Sequence, residues 1–546
     1  MEPDEGRNAE VAREILLLNN WTTPHYNFVP RLDKPVFFYW PAALSYKAFG
    51  VSEWSARLPS AFAGLACIAL IYQFARAFLG PWKALWSGLI LATSAEYFSL
   101  ARIAHSEMVL AFFMALSLCC FYSALSAERL KAQRALGFSM MYLAIGISTL
   151  IKGPVGIALP GAVILGYLLL SGKWHMLREK SFVFGSLILV AAVVPAYAWA
   201  EFRNPGYLQY LLVEENLLRF FTHHFDRGGP WYSFFAIAAV GFLPWTLLLP
   251  NVVKHTWKKR SDDKTLFLLA WTVLPLLIFS FSKTKLPHYI LIVYPALAML
   301  TASAVHEIPT SSLRTRAWIP ALPWFMLIIP LAYAALALSQ PTLLPHQLRL
   351  PFQAFQALRP PIVALWPVLL LSLCLAIWIW TRAKEDAPFV GSCVGFFAWF
   401  LLIHELMVPL SSFRSSKEMA VRAAEFTRPS DQILIYDTYL SSLPFYLSID
   451  RPIGVVWSGR KSSIMGSFYV AEKMPPPAGG YGRVLYTFDQ FSHLWARSDR
   501  RLLVFVKEKN LARLSEGSGV QPTVLLKVGE IVLATNRGFN AHKTTP

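Results

Sequence analysis

Long apolar runs recur along most of the chain, separated by short polar stretches. Runs of about 17–24 residues match the length of helix that crosses a ~30 Å hydrocarbon core. Lipid offers the backbone no hydrogen-bond partner, so such runs must be helical. The pattern predicts about twelve spans, near residues 55–78, 82–100, 106–126, 135–150, 153–171, 181–200, 231–252, 265–281, 287–304, 317–338, 361–381 and 388–408. The fourth and fifth meet at Lys152-Gly153-Pro154.

The pattern changes at both ends. The chain opens polar, at Met1-Glu2-Pro3-Asp4-Glu5, and Asp4 can cap a helix whose apolar positions are Val11, Ile15 and Leu18. Such a helix is expected on the membrane surface. Beyond residue 410, helix-like stretches (416–428, 508–516) alternate with short runs such as Ile433-Leu434-Ile435-Tyr436 and Leu502-Leu503-Val504-Phe505-Val506. That alternation predicts a small α/β domain. The expected division is a juxtamembrane segment with interfacial helices over 1–54, a membrane domain over 55–409 and an α/β domain over 410–546.

Composition agrees: 55% of the 546 residues are hydrophobic. The net charge of +18 would suggest nucleic acid, but the basic residues are divided among short loops. They recur in alternate loops, as Arg129, Lys131 and Arg134; Lys173, Arg178 and Lys180; Lys254, Lys258, Lys259, Arg260 and Lys264; Arg314 and Arg316; Arg382 and Lys384. Basic short loops mark the cytoplasmic side and meet anionic lipid. The remaining segments, including 1–54, 201–230, 282–288 and the tail, are therefore expected outside, with no nucleic-acid role. An outside N-terminus with no preceding span or signal peptide predicts an upstream transmembrane helix missing from the chain as it stands. All five cysteines fall inside spans, so neither a disulfide framework nor a zinc–thiolate motif is expected. There is no G-x-x-x-x-G-K phosphate loop and no internal repeat.

The outside segments hold the candidate chemistry. Asp4-Glu5-Gly6-Arg7-Asn8 opens the chain, and Asp33-Lys34-Pro35 leads into Val36-Phe37-Phe38-Tyr39-Trp40. Arg102 and His105-Ser106-Glu107 stand at the mouth of a span, where a carboxylate is costly unless paired or hydrated. Lys152 sits in a tight outside turn, and Lys283-Thr284-Lys285-Leu286-Pro287-His288-Tyr289 opens another span. Outside lysines run against the charge bias; an anion such as a lipid phosphate gives a reason to keep them, and snorkelling to headgroups gives another. Loop 201–230 adds Glu214-Glu215-Asn216, Arg219 and His223-His224-Phe225-Asp226, and one of these histidines with Asp33 could hold a divalent ion. Taken together, carboxylates, lysines and arginine at one interface suit a lipid-phosphate substrate.

The order Asp-Glu…Arg, Asp-Lys-Pro with a following Tyr-Trp, Arg…Glu-Met, Lys-Gly-Pro, Glu-Glu…Arg-Phe and Lys-Leu-Pro-His-Tyr resembles the lipid-linked-sugar glycosyltransferases of the GT-C fold. The subgroup is the ArnT-like enzymes, related to protein O-mannosyltransferases. The resemblance covers essentially the whole chain. It implies thirteen spans, the first before Asp4, and an external α/β tail. By position it makes Asp4 the catalytic carboxylate with Glu5 beside it, and Glu107 stands where Asp is common. Arg7, Lys34 and Tyr289, with Lys285 nearby, would contact the prenyl phosphate; Arg102, Lys152, Arg219 and His288 are further candidates. Asp33 with His223 or His224 would form a metal site for zinc, magnesium or manganese. Gly6 and Asn8 are less typical of the family motif.

The function so implied is an inverting transfer of a sugar from a polyprenyl monophosphate to a lipid A-like lipid, glycan or protein. It would take place at the outer face of the bacterial inner membrane. A transporter or flippase of lipid-linked sugars, or an inactive homologue, are the alternatives; a transporter is expected to show broken helices meeting at the midplane.

Overall fold

The computed structural model describes residues 4–126, 131–222, 228–306, 415–438, 440–457, 484–497 and 501–537, with a few positions between 374 and 400. The helices in chain order are α1 (Asp4–Leu17), α2 (Trp40–Phe49), α3 (Glu53–Leu79), α4 (Pro81–Thr93), α5 (Ala95–Leu100), α6 (Glu107–Ser126), α7 (Lys131–Lys152) and α8 (Val155–Leu170). There follow α9 (Lys180–Arg203), α10 (Tyr207–Gln209), α11 (Arg219–Phe221), α12 (Ser233–Gly241), α13 (Leu249–Lys258), α14 (Asp263–Phe281) and α15 (Val293–His306).

Five of these helices, α3, α6, α7, α9 and α14, are long and apolar enough to cross a membrane. The pair α12 and Trp245–Lys258 makes a sixth if taken as one span, although it is bent by 111°. The apolar run 82–100 is likewise interrupted, at Ser94 between α4 and α5. Runs of apolar residues report burial in lipid or protein, not straightness, so neither break was legible from hydropathy. The expected spans 317–338 and 361–381, and most of 388–408, lie outside the described residues.

The chain divides into two compact units. One comprises Asp33–Phe38 and Arg57–Pro409. In it α6 packs on α7 and α8, α7 on α9, α14 on α8 and α15, and α4 on α15. Away from Glu107, α6 ends at a polar knot. There the Asp263 carboxylate accepts from the Tyr122 hydroxyl at 2.9 Å, the Tyr167 hydroxyl at 2.8 Å and Lys173 Nζ at 2.7 Å. Asp262 caps α14 beside it, accepting from the Thr265 amide at 3.0 Å.

The other unit comprises Met1–Leu32, Tyr39–Ala56 and Leu410–Pro546. Its sheet has the order β5-β4-β3-β6-β8-β7. The strands are β3 (Gln432–Tyr436), β4 (Gly454–Trp457), β5 (Leu485–Thr487), β6 (Leu502–Lys507), β7 (Thr523–Val528) and β8 (Ile531–Thr535). β3, β4, β5 and β6 run parallel, whereas β8 pairs antiparallel with both β6 and β7. Side chains alternate across a strand. Ile433, Ile435, Leu503 and Phe505 therefore enter one core, and Leu434, Tyr436, Val504 and Val506 the other. Burial on both faces is why these strands read as unbroken apolar runs. The stretch 508–516, read as helix-like, holds a 3₁₀ helix over Glu508–Ser515.

The N-terminal segment belongs to this second unit, with a short hairpin of β1 (His25–Tyr26) and β2 (Val29–Pro30). The expectation of an amphipathic helix lying on the membrane surface is not met. Every residue of α1 from Gly6 to Ile15 is buried, charged ones included. The charges are accommodated by partners rather than by water. Arg13 makes a bidentate pair with Glu10, both contacts 2.8 Å, and donates to the Ile449 carbonyl at 2.7 Å. Glu14 accepts from the Phe28 amide at 2.9 Å.

Candidate active site

Two constellations of the expected site residues are described, one in each unit. The first lies at the ends of α6 and α7. Glu107 opens α6 and Lys152 closes α7, so the antiparallel packing of these helices brings them together. Lys152 Nζ pairs with Glu107 Oε1, and the carboxylate is almost wholly buried at 3% exposure. His288 Nε2 stands 3.7 Å from the same oxygen. The Lys152 ammonium also lies 4.5 Å from the centre of the Tyr289 ring. His288 and Tyr289 occupy the 3₁₀ turn Pro287–Ile290, where Pro287 at its start presets the backbone.

Aromatic contacts extend this group. The His105 ring is 5.2 Å from His288 and meets Phe38 edge-on at 5.4 Å. Lys34 Nζ sits 4.0 Å over the Phe38 ring, and the Lys34 charge reaches Glu107. Hydroxyls pin the His105 turn: Ser60 donates to the His105 carbonyl at 2.8 Å, and Ser106 donates to the Phe38 carbonyl.

The neighbouring segment Tyr210–Leu218 is a π-helix, a rare form that is frequent at functional sites. It was read from sequence only as a loop. Glu215 accepts from Tyr210 at 3.0 Å and pairs with Arg219 at 2.7 Å. Burial raises the Glu215 carboxyl above its ordinary range; the charge of Asp33 adds to this, while Arg219 opposes it. The Arg219 carbonyl accepts from Thr284 at 3.0 Å, which ties the π segment to the Lys283–Tyr289 turn.

Lys285, expected near the prenyl phosphate, and Arg102, a further candidate, make other contacts in this structure. Lys285 Nζ donates to the Phe279 and Ser280 carbonyls at 3.1 and 2.8 Å, satisfying the end of α14 as a C-terminal cation does. Arg102 lies 5.0 Å over the Phe98 ring. His105, named in the sequence beside Glu107 but given no role, joins the cluster only through its fold neighbours.

His105, Glu107 and His288 place one ligand atom each within 4.8 Å of one another, a spacing that could hold a metal ion. A dication would compete there with the Lys152 ammonium already bound to Glu107 Oε1. The trio therefore fits a metal less well while Lys152 holds that oxygen. His223 and His224, the histidines expected with Asp33, lie outside the described residues.

The second constellation is the start of α1. Arg7 Nη2 pairs with Asp4 Oδ1 one turn away; the Asp4 side chain keeps 44% exposure and Arg7 only 11%. Glu5 lies in the same first turn. This turn is mounted on residues 441–453 of the same unit. Gly6 lies so close to Ser442 that a Cβ there would be 2.4 Å from the Ser442 Cβ. Tyr26 donates to the Ser441 carbonyl at 3.1 Å. Asn27 exchanges two hydrogen bonds of 2.7 Å with the backbone of Ile453.

Apolar helices of membrane-spanning length, with a charged cluster of lysine, histidine and carboxylate at their ends, and an α/β sheet unit describe a multi-pass membrane protein. A family model described as dolichyl-phosphate-mannose-protein mannosyltransferase matches residues 33–199. The chain's fold matches the crystal structure of ArnT from Cupriavidus metallidurans bound to undecaprenyl phosphate. That match has a TM-score of 0.82 at 25% identity, over 100% of this chain and 95% of that one. It is also similar to undecaprenyl phosphate-alpha-4-amino-4-deoxy-L-arabinose arabinosyl transferases. Identity is 30% to that of Enterobacter sp. (strain 638), with 58% of each chain covered, and 31% to that of Aeromonas salmonicida (strain A449), with 62% of each covered. The matched region thus spans about three-fifths of those relatives.

Proposed function

We propose that this chain transfers a sugar from a polyprenyl monophosphate to an envelope acceptor at the outer face of the bacterial inner membrane. The observation that carries the reading is the full-length fold match to ArnT bound to undecaprenyl phosphate. The names of the sequence relatives make an aminoarabinose on undecaprenyl phosphate the first donor to test. The acceptor is a lipid A-like lipid, a glycan or a protein. The reading includes about twelve spans, with residues 1–54 and 410–546 extracytoplasmic.

The chemistry is a displacement with inversion. An acceptor hydroxyl oxygen attacks the anomeric carbon, and the bond from that carbon to the phosphate oxygen breaks. The electron pair leaves with the polyprenyl phosphate, and the hydroxyl proton passes to Asp4 as general base. Cations near the departing phosphate stabilise the charge that develops on it. Lys34 and Arg7 take that role, with Tyr289 donating a hydrogen bond. Glu107 supports it by anchoring Lys152 and His288. Glu5 remains beside Asp4 as a second carboxylate. A divalent ion at Asp33 with His223 or His224 belongs to this reading, and no step above depends on it.

The transporter reading has one observation in its favour. Two interrupted helical runs meet where the Ala95 amide donates to the Leu243 carbonyl at 3.0 Å, beside the Glu96 carboxylate that accepts from Tyr294 at 2.5 Å. The following experiment tests the transferase reading. Prenyl-phosphate lipids are compared by mass spectrometry in cells carrying the native gene, a deletion, or Asp4→Asn at the native locus. Loss of a positioned base typically costs about 10²–10⁴-fold in rate. The same glycosylated prenyl phosphate should therefore accumulate in both mutants. No accumulation, with surface glycans unchanged, would remove the transferase reading.

A further inference from the structure

One polar group on α1 is not explained by any contact described above. Asn8 is 5% exposed. Its Nδ2 and its Oδ1 are both cut off from solvent, and neither has a hydrogen-bond partner among the described residues. Other buried polar groups on this helix are engaged: Glu10 and Arg13 pair with each other, and Glu14 takes the Phe28 amide. A buried amide with donor and acceptor both unmet is destabilising, and native proteins rarely keep one without a use for it.

Its position gives the use. Asn8 follows Asp4 by four residues, so the two share a face of α1. In an α-helix the Cα–Cβ bond tilts toward the N-terminus, which leans the Asn8 amide back over the turn that carries Asp4 and Glu5. A primary amide offers an N–H donor and a carbonyl acceptor side by side. Two adjacent ring substituents of a sugar, one accepting and one donating, match that pair. An apolar ligand or a bare phosphate does not, since phosphate only accepts.

We propose that Asn8 is a specificity-determining residue that reads an adjacent pair of hydroxyl (or hydroxyl and amino) groups on the donor sugar seated at Asp4. The inference rests on the transferase reading above. The amide is shielded in the structure, so seating the sugar requires the surroundings of α1 to open and close around it.

The test uses full-length protein, the glycosylated prenyl phosphate recovered from deletion cells as donor, and deletion-strain membranes as acceptor. Bare undecaprenyl phosphate serves as the sugar-free probe. Asn8→Leu, which keeps the branched skeleton of the side chain but is apolar, and Asn8→Ala are compared with wild type. Removing the paired contact should lower kcat/KM for the donor about 10- to 100-fold. Binding of bare undecaprenyl phosphate should be unchanged, because the carrier lacks the sugar groups that the amide would meet. If the leucine variant fails to fold, the alanine variant carries the same comparison. Wild-type kcat/KM in either folded variant overturns the proposal, as does an equal loss of affinity for the bare carrier. No transfer by the wild type would instead overturn the transferase reading, and this inference with it.

Discussion

Gly6→Ala sets two physical effects against each other, and the structure decides the sign. Gly6 lies in the first turns of α1. Helix propensity alone says that alanine there should stabilise the helix by about 0.5–1 kcal/mol. The surroundings say otherwise. A Cβ at position 6 would lie 2.4 Å from the Ser442 Cβ, 2.7 Å from its Cα and 3.0 Å from its amide nitrogen. Ordinary contact between carbon atoms is about 3.5–4.0 Å, so α1 and residue 442 must part by about 1 Å. Two of the three atoms are backbone, and no change of rotamer relieves them. Overpacking of this kind costs about 1–3 kcal/mol, which outweighs the propensity gain. Displacing a reacting group by about 1 Å costs on the order of 10²-fold in rate, and Asp4 rides on the displaced helix. The variant should therefore show a kcat reduced about 100-fold together with a lower Tm. Both are measured on purified full-length protein, by single-turnover transfer and by thermal unfolding. Wild-type turnover at an unchanged or higher Tm would refute the claim that this close approach positions α1.

Two further outcomes follow from buried charges. Lys152→Met leaves Glu107 buried without its ammonium partner, which typically costs about 3–5 kcal/mol. Adding Glu107→Leu should recover much of the lost Tm, and a double mutant no better than Lys152→Met would show that the pair is not coupled. The Glu14 carboxyl is held well above the usual carboxylate range, by burial first and by the charge of Glu10 second. A raised folded-state value means that its contribution to stability is fully present below the unfolded value of about 4.3 and is lost as pH rises toward the folded one. Glu14→Gln, which can still accept from the Phe28 amide, should flatten the fall of Tm over that window. An unchanged Tm–pH profile would show that Glu14 is not the titrating group.

Much of this protein follows from patterns that are local in sequence. Span-length apolar runs locate α3, α6, α7, α9 and α14, because hydrocarbon thickness and helix rise together dictate their length. Continuous β-branched and apolar runs mark β3 and β6, because a parallel sheet is buried on both faces. A carboxylate at the mouth of a span singles out Glu107, because such a charge must find a partner. Which partner it finds is not local. Glu107 and Lys152 are 45 residues apart, and Arg13 and the Ile449 carbonyl are 436 apart. Only helix packing chooses those pairs.

The same reason explains the misreadings. The polar positions of α1 looked solvent-facing, yet they are buried because distant segments supply their partners. Lys285 was read from its charge alone, and the carbonyls at the end of α14 to which it donates are visible only in the fold. The π-helical turn that aligns Glu215 with Arg219 has no periodicity that hydropathy can report. Composition and spacing thus determine which elements form and which polar residues stand out as candidates. The tertiary structure alone decides how each charge is satisfied, because a buried charge is settled by whatever group packing brings within about 3 Å.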